Sequence, residues 1–472
     1  MRILRPAFLV LLAVFLPLRS SADISAGYVQ PFAKHDMVAA ANPLAAEAGL
    51  EMLRAGGSAV DAAIAVQMVL GLVEPESSGI GGGAFLLVYD PKTKQTASFD
   101  GREVAPASAR PDMFLANGKP RSKAEAIPGG LSVGIPGVVA MLEMAHNKHG
   151  KLPWARLFQP AIKLADNGFA VGPKLARTIR GFARGANMPD IKAHFYHADG
   201  TPLAEGEVYK NPEYAQSLRL IAAGGAKAFY TGEIAQAIVD KVQHAPVNQG
   251  GMTLEDLAGF KALERPPVCG EYRIWRLCSM GPPSSGGIAI VQILGMLQHF
   301  PSAQLQPNTL SEAHLFTQAS RLAYADRAKY VGDTAFVEVP ITGLLDKDYI
   351  AGRAALIDPA KDMGTAQAGD PPRKHAEYAP QRSPVLHGTS HMTIVDKTGQ
   401  VISMTTSVES VFGAEVMVKG FFLNNTLTDF SLDPVLDGKP VANAPAPGKR
   451  PLSAMSPTIV FDKEGKFLLS VG

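Results

Sequence analysis

Strand-like patterns lie near the two ends of this 472-residue chain, and helical patterns fill most of the stretch between them. Ala84–Tyr89 and Thr96–Asp100 read as strands on either side of a turn at Pro91. Met392–Asp396 and Val401–Ser407 read as a second pair, with Asp396-Lys397-Thr398-Gly399 supplying the turn. Asn42–Val73 reads as helix in two pieces: Gly56-Gly57 ends the first and Ser58 caps the second. Ser132–His149, Trp154–Asn167, Pro212–Ala223, Glu233–Val242, Ile288–Leu297 and Ser311–Tyr330 also read as helices, and Thr253 caps a further one. Long helices around a few antiparallel strands imply a layered α+β fold.

Composition narrows the function classes. With 46% hydrophobic and 19% charged residues the chain is globular, and a net charge of +2 gives no reason to expect a nucleic-acid partner. Arg2 and Arg5, the apolar Ala7–Leu16 and the small Ser20-Ser21-Ala22 have the order of a secretory signal. The expectation is a cleaved segment 1–22, an exported protein (periplasmic or secreted), and no stable membrane span. Gly81-Gly82-Gly83 is not a phosphate loop, because it follows a helix and opens a strand; close backbone packing is the better account. Cys269 and Cys278 are the two cysteines. Export permits a bond between them. The run Glu271–Leu277 between them looks like one strand, and a straight strand of that length separates the sulfurs by roughly 30 Å. Two unpaired thiols are therefore expected. No zinc-type Cys/His spacing occurs, and neither metal nor cofactor is expected.

Chemistry concentrates at Thr389. It opens a strand directly after a polar, Pro-rich stretch, Asp370–Gly388. A cut before Thr389 would place a hydroxyl and a free amine on one residue, and that amine can serve the hydroxyl as base.

Several segments, in order, resemble the gamma-glutamyltransferase family of N-terminal nucleophile hydrolases. They are Met37–Pro43, Glu74–Gly83, Phe99–Glu103, Gly281–Gly287, Gly388–His391, Leu423–Asn425 with Asp429-Phe430, and Arg450–Thr458. The resemblance implies a four-layer αββα sandwich. It also implies a precursor that cuts itself between Gly388 and Thr389, leaving a large subunit, 23–388, and a small one, 389–472. It assigns Thr389 as nucleophile, with Thr405 and Ser407 hydrogen-bonding the nucleophile and its amine. Arg102 and Ser453 would hold the carboxylate of a gamma-glutamyl group, and Asp429, assisted by Glu409, its ammonium. The partners implied are a small gamma-glutamyl substrate, with water or an amino acid or peptide amine as acceptor.

Departures from the family pattern temper this. Ala454 stands where many relatives have a second Ser, and Thr426 where many have Glu or Gln. Ser431–Lys449 is short for the family's lid and contains no Tyr. A more open pocket leaves room for a mainly hydrolytic gamma-glutamyl or glutaryl (cephalosporin-type) acylase. The family's Ser-Pro-Gly-Gly turn, whose amides form the oxyanion hole, is not among the 472 residues. The resemblance thus leads us to expect a chain truncated at its C-terminus, with failed maturation or a non-catalytic remnant as the alternative if it ends there.

Overall fold

The computed structural model describes residues 33, 35–372, 377–381 and 388–472. The expected signal segment 1–22 and parts of the Pro-rich linker lie outside these residues. Ten strands build two antiparallel sheets: Met37–Ala40 (β1), Gly83–Asp90 (β2), Gln95–Gly101 (β3), Leu263–Arg265 (β4), Val268–Tyr272 (β5), Trp275–Ser279 (β6), Thr389–Val395 (β7), Val401–Ser407 (β8), Thr458–Phe461 (β9) and Phe467–Val471 (β10). One sheet has the order β1-β7-β8-β2-β3-β4, the other β10-β9-β6-β5.

The continuous apolar run in β2 follows from burial on both faces. Ala84, Leu86 and Val88 pack into the large helical core with the helix Ala59–Val73. Leu87 and Tyr89 face the other way and meet Cys278, Val401, Ile459 and Phe461 between the sheets. Beyond the second sheet, Val268 and Leu277 pack on Ile288 and Val291 of Gly286–Leu297 and on Tyr330 of Leu310–Tyr330. The layers therefore run helix, sheet, sheet, helix, as expected.

The helix Ala59–Val73 is buried on every side, as its apolar circumference requires. Its N-terminus is held by a capping box. Ser58 N–H donates to Asp61 Oδ2 at 2.8 Å, and Asp61 N–H donates to Ser58 Oγ at 3.2 Å. Two expected helices begin late. Ser132–His149 is helical only over Val138–His149, and Trp154–Asn167 splits into a 3-10 turn, Trp154–Phe158, and a helix, Gln159–Asn167, with Pro160 at its start.

The expectation of two free thiols is wrong: Cys269 and Cys278 are bonded, with Cα atoms 4.1 Å apart. The run between them is a hairpin rather than one strand. Tyr272 pairs with Trp275, and Cys269 lies opposite Cys278. Arg273 makes the turn with φ of 55°, a left-handed conformation for which the sequence offers no Gly or Asn as a sign.

The fold brings the two strand-rich ends of the chain into one sheet. β8 lies between β7 and β2, so Thr389, Ser407 and Gly83 stand in one row. Gly101, at the end of β3, pairs with Ala84 beside that row. The Gly-rich turn makes this edge possible. A Cβ at Gly81 would lie 2.1 Å from the Phe422 carbonyl oxygen, and one at Gly82 2.0 Å from that of Ser407.

Candidate active site

At this sheet edge a cavity of about 490 Å³ is lined by Gly388, Thr389, Thr405, Ser407, Arg102, Glu409, Asp429 and Ser453. Every site residue expected from the sequence thus borders one space, although Arg102 and Ser453 are 351 positions apart in the chain.

Thr389 is exposed at the start of β7, while the next residue, Ser390, is buried. Across the ladder, Ser407 Oγ donates to the Gly388 carbonyl at 2.5 Å and accepts from Glu409 N–H at 2.7 Å. The carbonyl of the bond expected to be cut is therefore polarised by a hydroxyl that is itself held by backbone. Gly388 tolerates no side chain: a Cβ would sit 2.0 Å from the Glu409 carbonyl oxygen. Thr405 lies opposite His391, and its Oγ1 is 2.9 Å from His391 Nδ1. Burial pushes that imidazole down to about 4, so it is neutral at ordinary pH. His391 Nε2 continues the chain to Thr393 Oγ1 at 3.2 Å.

The charged wall is built around Arg102. It follows β3 and is 2% exposed. Its Nη2 donates to Asp429 Oδ2 at 2.6 Å and to the Leu452 carbonyl at 3.0 Å; Nε donates to the Pro451 carbonyl at 3.2 Å. Glu103 Oε2 lies 3.3 Å from Nη1. Asp429 keeps its other oxygen 3.8 Å from Lys123 Nζ, which is also 3.9 Å from Glu409 Oε1. Glu409 has a φ of 80°, a strained conformation for a residue with a side chain. The bonds around it hold it there: Asn425 Nδ2 and Ser410 Oγ both donate to Oε2. Burial, then the charge of Asp429, pushes its carboxyl up to about 7.

Ser453 follows the two residues whose carbonyls hold Arg102 and is fixed by Ser285, whose N–H and Oγ donate to its carbonyl at 2.9 and 2.8 Å. Ser453 Oγ accepts from Met455 N–H at 3.1 Å. Ala454 lines the cavity beside it. Thr426 is fully buried and donates to Glu103 Oε1 at 2.8 Å, so it supports Arg102 from behind. The segment expected to act as a short lid joins the site through Asn443, whose Nδ2 donates to the Asp429 carbonyl at 2.7 Å.

Sequence reasoning missed Lys123, Glu76, Lys174 and Arg327. Glu76 and Lys174 line the cavity as an ion pair at 3.4 Å, and burial pushes Glu76 up to about 7. Glu76 lay inside a quoted segment, so the signal was present. Lys123 lies in a helix of four residues, Lys123–Ala126, with no distinguishing pattern. Among the described residues no group of three or more His, Cys, Asp or Glu is placed to hold a metal ion, and no helix is long and apolar enough to cross a membrane.

The chain is similar to known proteins. The "Glutathione hydrolase proenzyme" of Bacillus subtilis (strain 168) is 42% identical over 448 residues, covering 93% of this chain and 75% of the relative. The protein of that name from Escherichia coli (strain K12) is 39% identical over 452 residues, with the same shares. Among solved structures, cephalosporin acylase from Bacillus halodurans superposes with a TM-score of 0.81 at 28% identity, over 97% of this chain and 80% of that one. Helicobacter pylori gamma-glutamyltranspeptidase gives 0.68 at 34% identity, over 72% of this chain and 97% of that one. Residues 45–472 match the gamma-glutamyltranspeptidase family as a whole, and the chain belongs to that family.

Proposed function

We propose that this protein is a self-cleaving gamma-glutamyltransferase with glutathione hydrolase activity, in which Thr389 is the nucleophile. The observation that carries the reading is the Ser407 hydroxyl at 2.5 Å from the Gly388 carbonyl, next to an exposed Thr389. In the precursor, Thr389 Oγ attacks the Gly388 carbonyl carbon. The C–N bond breaks as the proton passes to nitrogen, and water hydrolyses the resulting ester. Segments 23–388 and 389–472 become the large and small subunits. The freed amine of Thr389 then takes the hydroxyl proton as Oγ bonds the gamma-carbonyl of a donor such as glutathione. That proton goes to the departing amine. Water or an amino acid or peptide amine releases the acyl group from the ester.

An amino-acid head group suits the charged wall. Its carboxylate is matched by Arg102 and Ser453, and its ammonium by Asp429 and Glu409. The relatives' names support the donor class, since both are called glutathione hydrolase proenzymes. The first 22 residues would direct export, supported by Arg2, Arg5 and the apolar stretch after them.

Glu409 gives this reading a pH signature. Its carboxyl ionises at about 7, and only the ionised form attracts the donor's ammonium. The KM for a gamma-glutamyl donor should therefore fall as pH rises through about 7, and Glu409→Gln should flatten that limb. A limb unchanged in the variant would assign it to another group. Transfer is tested by following glutathione breakdown with and without an acceptor dipeptide. The expected result is a faster release of cysteinylglycine and a new gamma-glutamyl peptide; a rate indifferent to acceptor would leave a hydrolase only.

A further inference from the structure

Three cations line the cavity among the described residues: Arg102, Lys174 and Arg327. Arg102 is balanced by Glu103 and Asp429, and Lys174 by Glu74 and Glu76. Arg327 has no carboxylate within ion-pair distance among the described residues. Its Nε donates to Ser285 Oγ at 2.8 Å, and Ser285 Oγ in turn donates to the Ser453 carbonyl at 2.8 Å. Its guanidinium carbon lies 5.5 Å from the centre of the Tyr324 ring. These contacts fix the plane of the group on the Ser453 wall and leave its four terminal N–H groups without an acceptor among the described residues. Burial disfavours the guanidinium's charge, and the field of Asp429 offsets only part of that penalty. An uncompensated cation held rigidly against a cavity is a receptor for an anion, and a planar fork suits a carboxylate.

We propose that Arg327 is a second cation for the acyl group's carboxylate, held through Ser285 on the segment that carries Ser453, the same segment whose Pro451 and Leu452 carbonyls hold Arg102. This rests on the gamma-glutamyl reading above. The physical need is clear from the charge balance: Arg102 is already neutralised by two carboxylates, so an incoming carboxylate gains little from Arg102 alone. Arg327 supplies the unspent charge, and Ser285 couples its position to that of Ser453.

The test compares two chromogenic donors on the mature enzyme, gamma-glutamyl-4-nitroanilide and 4-aminobutanoyl-4-nitroanilide. The second keeps the amine and lacks the carboxylate. Arg327→Gln should raise KM for the first at least about 10-fold and leave kcat/KM for the second within about twofold. Ser285→Ala, which removes the hydrogen bond but keeps the charge, should retain most of the preference between donors. Equal losses on both donors in Arg327→Gln, or no change in either, would overturn the proposal. If that variant does not accumulate, Arg327→Lys carries the same comparison, because a point charge lacks the fork; a KM rise confined to the carboxylate donor supports the proposal, and parallel changes reject it. Glutarate binding, read by thermal shift, separates this idea from the donor reading. A wild type that turns over neither donor refutes the latter. Weaker glutarate binding in Arg327→Gln would still support the carboxylate role, and unchanged binding would refute it.

Discussion

Thr389→Ala will leave the chain as a single uncut polypeptide on a denaturing gel, while the wild type separates into two bands. Sequencing the smaller wild-type product will begin at Thr389. The effect is large because one hydroxyl serves twice, first on the Gly388 carbonyl and then on substrate. Its removal should lower turnover at least about 10³-fold. Misfolding is a poor alternative explanation. Thr389 is exposed at a strand end, where such a truncation costs about 1 kcal/mol or less. Thr389→Ser keeps the hydroxyl and should still cleave, more slowly. Ser407→Ala isolates the other half of the argument. It leaves the nucleophile in place and removes the donor 2.5 Å from the Gly388 carbonyl. Loss of such a donor costs about 10²–10³ in rate, so precursor should persist for hours and then mature. A Thr389→Ala chain that still divides at the same bond would refute the self-cleavage mechanism outright.

The fold was readable where local pattern and environment agree. The helix Ala59–Val73 carries its own cap and is apolar all round, and it is buried as such a helix must be. The run at Ala84–Tyr89 shows a strand enclosed on both faces. The hairpin at Arg273 was hidden for the opposite reason. Strand-forming residues continue through the turn, and the left-handed residue is an Arg, so the sequence looks straight where the chain reverses. That one turn decides the state of both cysteines. At the site, motif order located the residues that touch the cavity at Thr389, Arg102 and Asp429. It could not reveal how their charges are balanced. Glu103 behind Arg102, Lys123 between Asp429 and Glu409, and Arg327 bonded to Ser285 with no carboxylate partner among the described residues are products of the folded arrangement. Even Thr426, singled out as a departure from the family pattern, turns out to face Glu103.

Asp429→Asn should distinguish an enzyme for gamma-glutamyl groups from one for glutaryl groups. Both acyl groups end in a carboxylate, but only the first carries an ammonium. The cavity presents two carboxylates, Asp429 and Glu409, on the wall where that ammonium would sit, and Lys123 at 3.8 and 3.9 Å balances them only in part. A charge-assisted hydrogen bond contributes about 1.5–3 kcal/mol, so losing the Asp429 charge should lower kcat/KM for gamma-glutamyl-4-nitroanilide roughly 10²-fold, equivalent to about 2.8 kcal/mol. The fold should survive, since the amide oxygen can still accept from Arg102 and Glu103 remains as its charged partner at 3.3 Å. Glutaryl-4-nitroanilide should be a poor substrate for the wild type, because the methylene that replaces the ammonium-bearing carbon would leave two carboxylates facing it with nothing to pair them. In Asp429→Asn that penalty is relieved, so glutaryl hydrolysis should hold steady or rise. The two donors therefore move in opposite directions if the site is built for an amino acid. A parallel fall in both would mean that Asp429 acts by holding Arg102 in place, and the acidic wall would then be scaffolding for the cation rather than a receptor for the ammonium.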